Sequence, residues 1–178
     1  ALGTAFRIGH IFQSSSSNSQ RSNFVGIMAT EDSTVVTLSD FDAGTDFEIN
    51  GTTTPVTGPQ TVTLQANESV VFSQYVSSSS SQPPNGLIGA KVISNKPVAI
   101  NCGSWTGSPV DNSNDVGLDQ IAPFDQVGEE YILCKGNGSS DLETPIVIAH
   151  VDNTSVWLNG QTSPAAVLNA GEYLGHGP

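Results

Sequence analysis

The chain has 178 residues, a formal net charge of −12, and five Lys and Arg against seventeen Asp and Glu. Phosphate recognition needs clustered basic side chains, so the scattered Arg7, Arg21, Lys91, Lys96 and Lys135 exclude nucleic acid as a partner and disfavour anionic membrane surfaces. No apolar run approaches the roughly 20 residues that span a bilayer, so membrane insertion is not expected.

Taken in order, residues 3–12 open as a strand, and the Ser/Asn/Gln-rich stretch 13–22 reads as an exposed loop. Residues 24–29 are apolar, Glu31, Asp32 and Ser33 are polar, and 34–38 are β-branched apart from Leu38. β-Branched side chains fit a pleated surface, and two such runs about a tight Asp/Ser turn predict a β-hairpin over 24–40. Residues 46–50 alternate, and Asn50 with Gly51 signals a tight turn. Residues 60–64 alternate again, and a turn at 66–69 leads into a strand over 70–76. A second polar loop covers 77–86. Residues 87–93 and 98–102 read as two strands about a turn at 94–97. Near 119–125, Pro123 allows at most one helical turn.

The pattern occurs twice. Residues 145–159 repeat 24–40, with Ala149 for Ala29, Asp152 for Asp32, Thr154 for Thr34 and Leu158 for Leu38. Residues 127–133 repeat 2–8, and 168–173 repeat 64–69, in the same order. Short strands with frequent turns predict an all-β protein, an antiparallel β-sandwich built as a tandem duplicated unit. A barrel or a propeller-like arrangement of the repeats is the alternative. The expected units are 1–126 and 127–178. The second copy is expected to be incomplete, because nothing in it corresponds to 87–102, and 166–174 is expected to lie at a covered edge. The predicted core is Val25, Ile27, Val36, Leu38, Val62, Leu64, Val71, Ile88, Val92, Val98 and Ile100. Cys102 and Cys134 both sit in apolar runs, either as a disulfide pair or as buried thiols.

Chemistry-bearing residues are sparse. Asp111, Asp115 and Asp119 place hard oxygen donors close together, and calcium is the cation such donors would hold. The competing reading is an acidic solvated loop. Trp105, with Asn101 upstream, either stacks on a sugar ring beside polar neighbours or closes the end of the sandwich. His10, His150 and His176 are isolated, without the convergent spacing of a zinc site. No Gly-x-Ser-x-Gly elbow supports a hydrolase.

Several of these blocks recur together: 24–38, the Thr-Val-Thr-Leu stretch at 61–64 with Asn67 to Ser69, 89–104, and 117–131. In that order they resemble the domain named after the IgG-Fc-binding protein of mucus. The resemblance is closest to its form in large secreted surface proteins of gliding bacteria of the Bacteroidota, which use type IX secretion. It implies a non-enzymatic extracellular module at the cell surface, acting in adhesion or as part of a stalk or filament. Its partners would be other copies, adjacent repeats or surface glycans. A carbohydrate-binding module using Trp105 and Asn101 is the alternative.

Overall fold

The computed structural model describes residues 1–12, 21–52, 56–76, 82–107, 115–134, 136–138, 143 and 145–175. The strands are β1 (Gly3–Arg7), β2 (Arg21–Ala29), β3 (Thr34–Ser39), β4 (Asp46–Ile49), β5 (Val56–Thr57), β6 (Gln60–Leu64), β7 (Ser69–Val76), β8 (Lys91–Gly107) and β9 (Asp115–Gln120). Four short strands follow: β10 (Ile146–Ile148), β11 (Thr154–Val156), β12 (Ala166–Leu168) and β13 (Tyr173–Gly175). The one helical element among the described residues is a 3-10 turn, Phe124–Gln126, directly after Pro123.

All strand pairs are antiparallel, and β8 organises them. Its 17 residues are one strand rather than two about a turn. Ser94 Oγ donates to the Lys96 carbonyl at 2.7 Å, and Asn95 Oδ1 accepts the Val35 N–H at 2.7 Å, so the Asn-Lys-Pro stretch bends the strand without reversing it. One edge of β8 carries β3 against 91–94 and β2 against 98–104. The other edge carries β1 and then β9. The strand order β5-β4-β7-β2-β8-β3-β6 therefore folds over at the bend into a sandwich that is nearly closed, like a barrel.

This geometry corrects the hairpin over 24–40. β2 and β3 do not pair; they run end to end along one edge of β8, with Ala29 opposite Val98 and Val36 opposite Ser94. The intervening residues form a local turn with Ser33 at φ 57°, which shifts the chain from one half of the sandwich to the other. A positive φ at a Ser is uncommon. Here the Asp32 carboxylate, accepting the Ala66 N–H at 3.0 Å, pins the turn to the neighbouring 65–68 turn.

The core lies between the two halves. Val25, Ile27, Val36, Leu38, Leu64, Val92, Val98 and Ile100 are buried in it as expected, with Val62 packed against it. Val71 is a correction: β7 turns Val70, Phe72 and Gln74 inward, so Val71 lies on the opposite face. Ile88 is buried outside this cluster. Phe6, Ile8, Phe47, Phe72 and Leu87 complete the core.

The repeat holds to the level of hydrogen bonds. Met28 pairs with Ser69 and Ile148 with Tyr173; Thr34 pairs with Leu64 and Thr154 with Leu168. Asp152 Oδ1 accepts the Ala170 N–H at 3.0 Å, as Asp32 accepts that of Ala66, and Asn153 repeats the 57° φ of Ser33. Glu68 accepts the Gln65 N–H and Glu172 the Asn169 N–H, both at 2.7 Å. The hairpin over 145–159 fails in the same way as the first, since β10 pairs β13 and β11 pairs β12. The sequence match of 127–133 to β1 is not matched in structure: those residues form no strand.

The two units touch through backbone. A Cβ on Gly89 would collide with the Gly171 carbonyl, and both glycines have positive φ. The buried Arg7 beneath them donates from Nη1 to Asp40 Oδ2 at 2.9 Å and to the Gly89 carbonyl at 3.0 Å. Phe124 packs on His150 with ring centroids 5.0 Å apart. Within 166–174 the first unit meets Gly171, while Leu168 is buried in a cluster with Ala149 and Val156 and Val167 is exposed.

Candidate binding face

Strand alternation builds an outward face on β2, β8 and β9. Asn23, Val25, Ile27 and Ala29 face the interior, so Phe24, Gly26 and Met28 face out. On β8, Ser104, Cys102 and Ile100 face in, and Asn101, Gly103 and Trp105 face out. A line of buried polar groups fixes this register. Ser104 Oγ donates to Asn23 Oδ1 at 2.8 Å, and Asn23 Nδ2 donates to the Pro84 carbonyl at 3.0 Å. Gln74 Nε2 donates to the Pro83 carbonyl at 2.8 Å. Buried amides are costly unless bonded, so these contacts hold the 82–86 loop down and keep the opposite side chains outward.

Trp105 is 55% exposed and stacks on Phe24, centroids 4.9 Å apart and planes at 28°. It lies on the open sheet face rather than as a lid over the end of the sandwich. One indole face covers Phe24, which is thereby buried. Asn101 shares the face, its side chain lying across Gly26, where a Cβ would meet its Oδ1. Leu118 is opposite Gly103 and Gln120 opposite Asn101, so both join the surface from β9, and both are exposed. Met28 adds a further exposed apolar side chain. The result is an apolar and amide strip on the sheet face, with no basic residue among its described side chains.

The acidic candidates are not brought together by the described residues. Asp111 lies outside them, and so does the side chain of Asp115. Asp119 is exposed, and its Oδ1 accepts the Gln120 N–H at 2.7 Å. One other feature was not apparent in the sequence. Between the units, Asp40, Asp42, Ile88, Leu168, Glu172 and Tyr173 line a cleft of about 450 Å³. Burial and the nearby Asp42 raise the Tyr173 pKa. Two of the cleft's carboxylates are engaged locally, Asp40 by Arg7 within the first unit and Glu172 by the Asn169 N–H of its own turn.

Two titratable groups, His10 and Cys102, are buried. His10 donates from Nδ1 to the Ile11 carbonyl at 2.7 Å, and its Nε2 is buried without a partner. Burial lowers its pKa to about 4. Cys102 is a free thiol donating to the Gly9 carbonyl, pushed up to about 12 by burial, while Cys134 is free and exposed. His150 is held against Phe124. Among the described residues these groups are not paired as nucleophile and base.

A family model described as IgGFc binding protein matches residues 1–176. The chain belongs to this family. Searches of curated proteins and of solved structures gave no match. The IgGFc-binding family is one of binding domains, generally extracellular and not known as enzymatic. In this member the β2–β8–β9 face carries the exposed indole of Trp105, the aliphatic Met28 and Leu118, and the carboxamides of Asn101 and Gln120. No helix among the described residues is long and apolar enough to cross a membrane.

Proposed function

We propose that the protein is a non-enzymatic extracellular β module of a large bacterial surface protein, acting in adhesion or as a structural unit of a stalk or filament. The observation that carries this reading is the outward β2–β8–β9 face, where Trp105 and Asn101 stand exposed on a sheet whose other side is a packed core. A rigid sheet presents contacts without an ordering cost, which favours binding. The units are taken as 1–126 and 127–178, supported by the repeated turns and registers. The likeness of the motifs to those of gliding-bacteria surface proteins supports a type IX-secreted, gliding-associated setting, with adjacent repeats or other copies as partners.

A second reading, carbohydrate binding through the same face, is favoured by the free indole surface of Trp105 and the amides of Asn101 and Gln120. Trp105 and Asn101 are four positions apart on one strand, about 13 Å at the usual rise per residue, so an extended ligand rather than one sugar ring would touch both. Beads coated with the protein, presented to copies of itself, to a glycan array and to IgG Fc, test these readings. Bead attachment with a silent array supports adhesion. Array signal lost in Trp105→Ala supports the carbohydrate reading. Turnover of any bound ligand refutes a non-enzymatic module.

A further inference from the structure

A side-chain amide can be attacked by the main-chain nitrogen of the next residue. Glycine in that place favours the attack, because it puts no side chain beside the nitrogen and adopts positive φ at no steric cost. The chain holds four such pairs: Asn50-Gly51, Asn85-Gly86, Asn137-Gly138 and Asn159-Gly160. The fold treats them differently. What separates them is whether the attacked amide or the attacking N–H is already engaged.

Three pairs are restrained. Asn50 lies against β7: its N–H donates to the Val71 carbonyl at 2.9 Å, and its Oδ1 accepts the Val71 N–H at 2.8 Å. Its side-chain amide is thereby committed to the neighbouring strand. The Gly86 N–H donates to the Pro83 carbonyl at 3.2 Å, within the 82–86 loop that Asn23 and Gln74 hold down. A Cβ on Gly86 would strike the buried Thr45 Oγ1, so that pair also lacks room to rearrange. The Gly138 N–H donates to Glu143 Oε1, and the Gly136 N–H to Glu143 Oε2 at 2.6 Å. A carboxylate beside an N–H opposes the loss of its proton, because it would face the negative charge that results.

Asn159-Gly160 carries none of these restraints. Both residues are exposed, and among the described residues no hydrogen bond reaches the Asn159 side chain or the Gly160 N–H. Nothing lies within 4 Å of where a Gly160 Cβ would stand. The pair forms a tight turn, φ 49° and 71°, closed by the Gln161 N–H on the Leu158 carbonyl at 3.0 Å. Asn50 and Gly51 have nearly the same φ, 50° and 74°, so the Val71 bond rather than φ distinguishes the two turns. The Asn159 turn also belongs to the unit with only three buried core residues, and a small core opens locally at lower cost. We infer that Asn159-Gly160 is the site at which this protein modifies itself, turning Asn159 into aspartate and isoaspartate. The Gly160 nitrogen gives its proton to solvent base and bonds to Asn159 Cγ. The bond from Cγ to the side-chain nitrogen breaks, and ammonia leaves with a proton from water. Water then opens the cyclic imide. Attack at the side-chain carbonyl gives aspartate; attack at the main-chain carbonyl gives isoaspartate, with the chain running through the former side chain. Nothing is oxidised or reduced. Either product adds a negative charge to the turn between β11 and β12.

The test incubates the whole chain in mildly alkaline buffer and maps the products by digestion and mass spectrometry, with isoaspartate located by enzymatic methylation. Asn159 should convert about fivefold faster than Asn50, Asn85 or Asn137, or faster still, since one ordinary hydrogen bond on the barrier has that effect. In urea, where the fold is lost, the four rates should draw together. Glu143→Gln removes the charge beside the Gly138 N–H and should speed conversion at Asn137 while leaving Asn159 unchanged. Equal or faster conversion at any of the other three pairs in the folded protein overturns the inference. The same order of rates in urea overturns it too, because the difference would then lie in neighbouring residues and not in the fold. An unchanged Asn137 rate in Glu143→Gln overturns the claim that engagement of the glycine N–H sets the order.

Discussion

Replacing Leu64 and its repeat equivalent Leu168 by Ala probes both the packing and the duplication. Both leucines are buried, at 6% and 7% exposure. Removing three methylene equivalents costs about 2.4 kcal/mol in transfer alone, and an unfilled cavity adds to that. Leu64 sits on β6 at the end of the strand order, where neighbours can relax, but it is one of seventeen buried residues in the first core. About 3 kcal/mol is expected. Leu168 belongs to a cluster of three buried residues with partly exposed neighbours, which can collapse into the space. About 2 kcal/mol is expected there. Urea titration measures both, provided the slope is unchanged. Hydrogen exchange should show that Leu168→Ala loosens 146–175 while leaving β2 and β8 protected. A cost below about 1 kcal/mol for Leu64→Ala, or equal loosening of the first unit by Leu168→Ala, would refute the account of two separate clusters.

Acid stability should depend on His10. Its folded pKa of about 4 lies below the ordinary 6.5 because burial disfavours the charged ring. The stability it permits is therefore full above pH 6.5 and is lost as pH falls toward 4, by about 3 kcal/mol in all; urea melts of wild type and His10→Gln across this range should converge in slope only if the argument is wrong. Gly89→Ala should destabilise by about 1–3 kcal/mol, from a positive φ and a collision with the Gly171 carbonyl. Gly51→Ala, with φ +74° but open space around it, should cost less. In the native protein a thiol reagent should titrate Cys134 alone, with Cys102 reacting only on unfolding.

Much of the fold was legible because strand alternation and turn residues are local signals. The duplication, the all-β class and most of the core followed from them. What failed required knowledge of β8. Asp32 and Ser33 signal a tight turn, but whether the chain reverses there depends on which strand fills the neighbouring edge, and that strand lies some sixty residues on in the sequence. Likewise Ser94 to Pro97 looks like a reversal, but is a bend in which Asn95 Oδ1 accepts the Val35 N–H and Ser94 Oγ donates to the Lys96 carbonyl. Val71 went to the wrong face because Val70 and Val71 are equally apolar, and only the burial of Gln74 in a polar line sets the register. Asn23, Gln74 and Ser104 resemble solvent-face residues in sequence. The outward position of Trp105 depends on them, so the candidate face was named by residue and not by place.

The most direct test of the binding account is calorimetric titration of wild type, Trp105→Ala and Asn101→Ala with the ligand retained in the bead and array assays. Both side chains are on the outer face, but Trp105 covers Phe24, so Asn101→Ala should keep the melting temperature within about 2 °C of wild type and Trp105→Ala should lower it by only about 2–5 °C, while Trp105→Ala weakens binding at least tenfold, a loss of about 1.4 kcal/mol or more. Undiminished affinity in both variants would contradict the assignment of the β2–β8–β9 face.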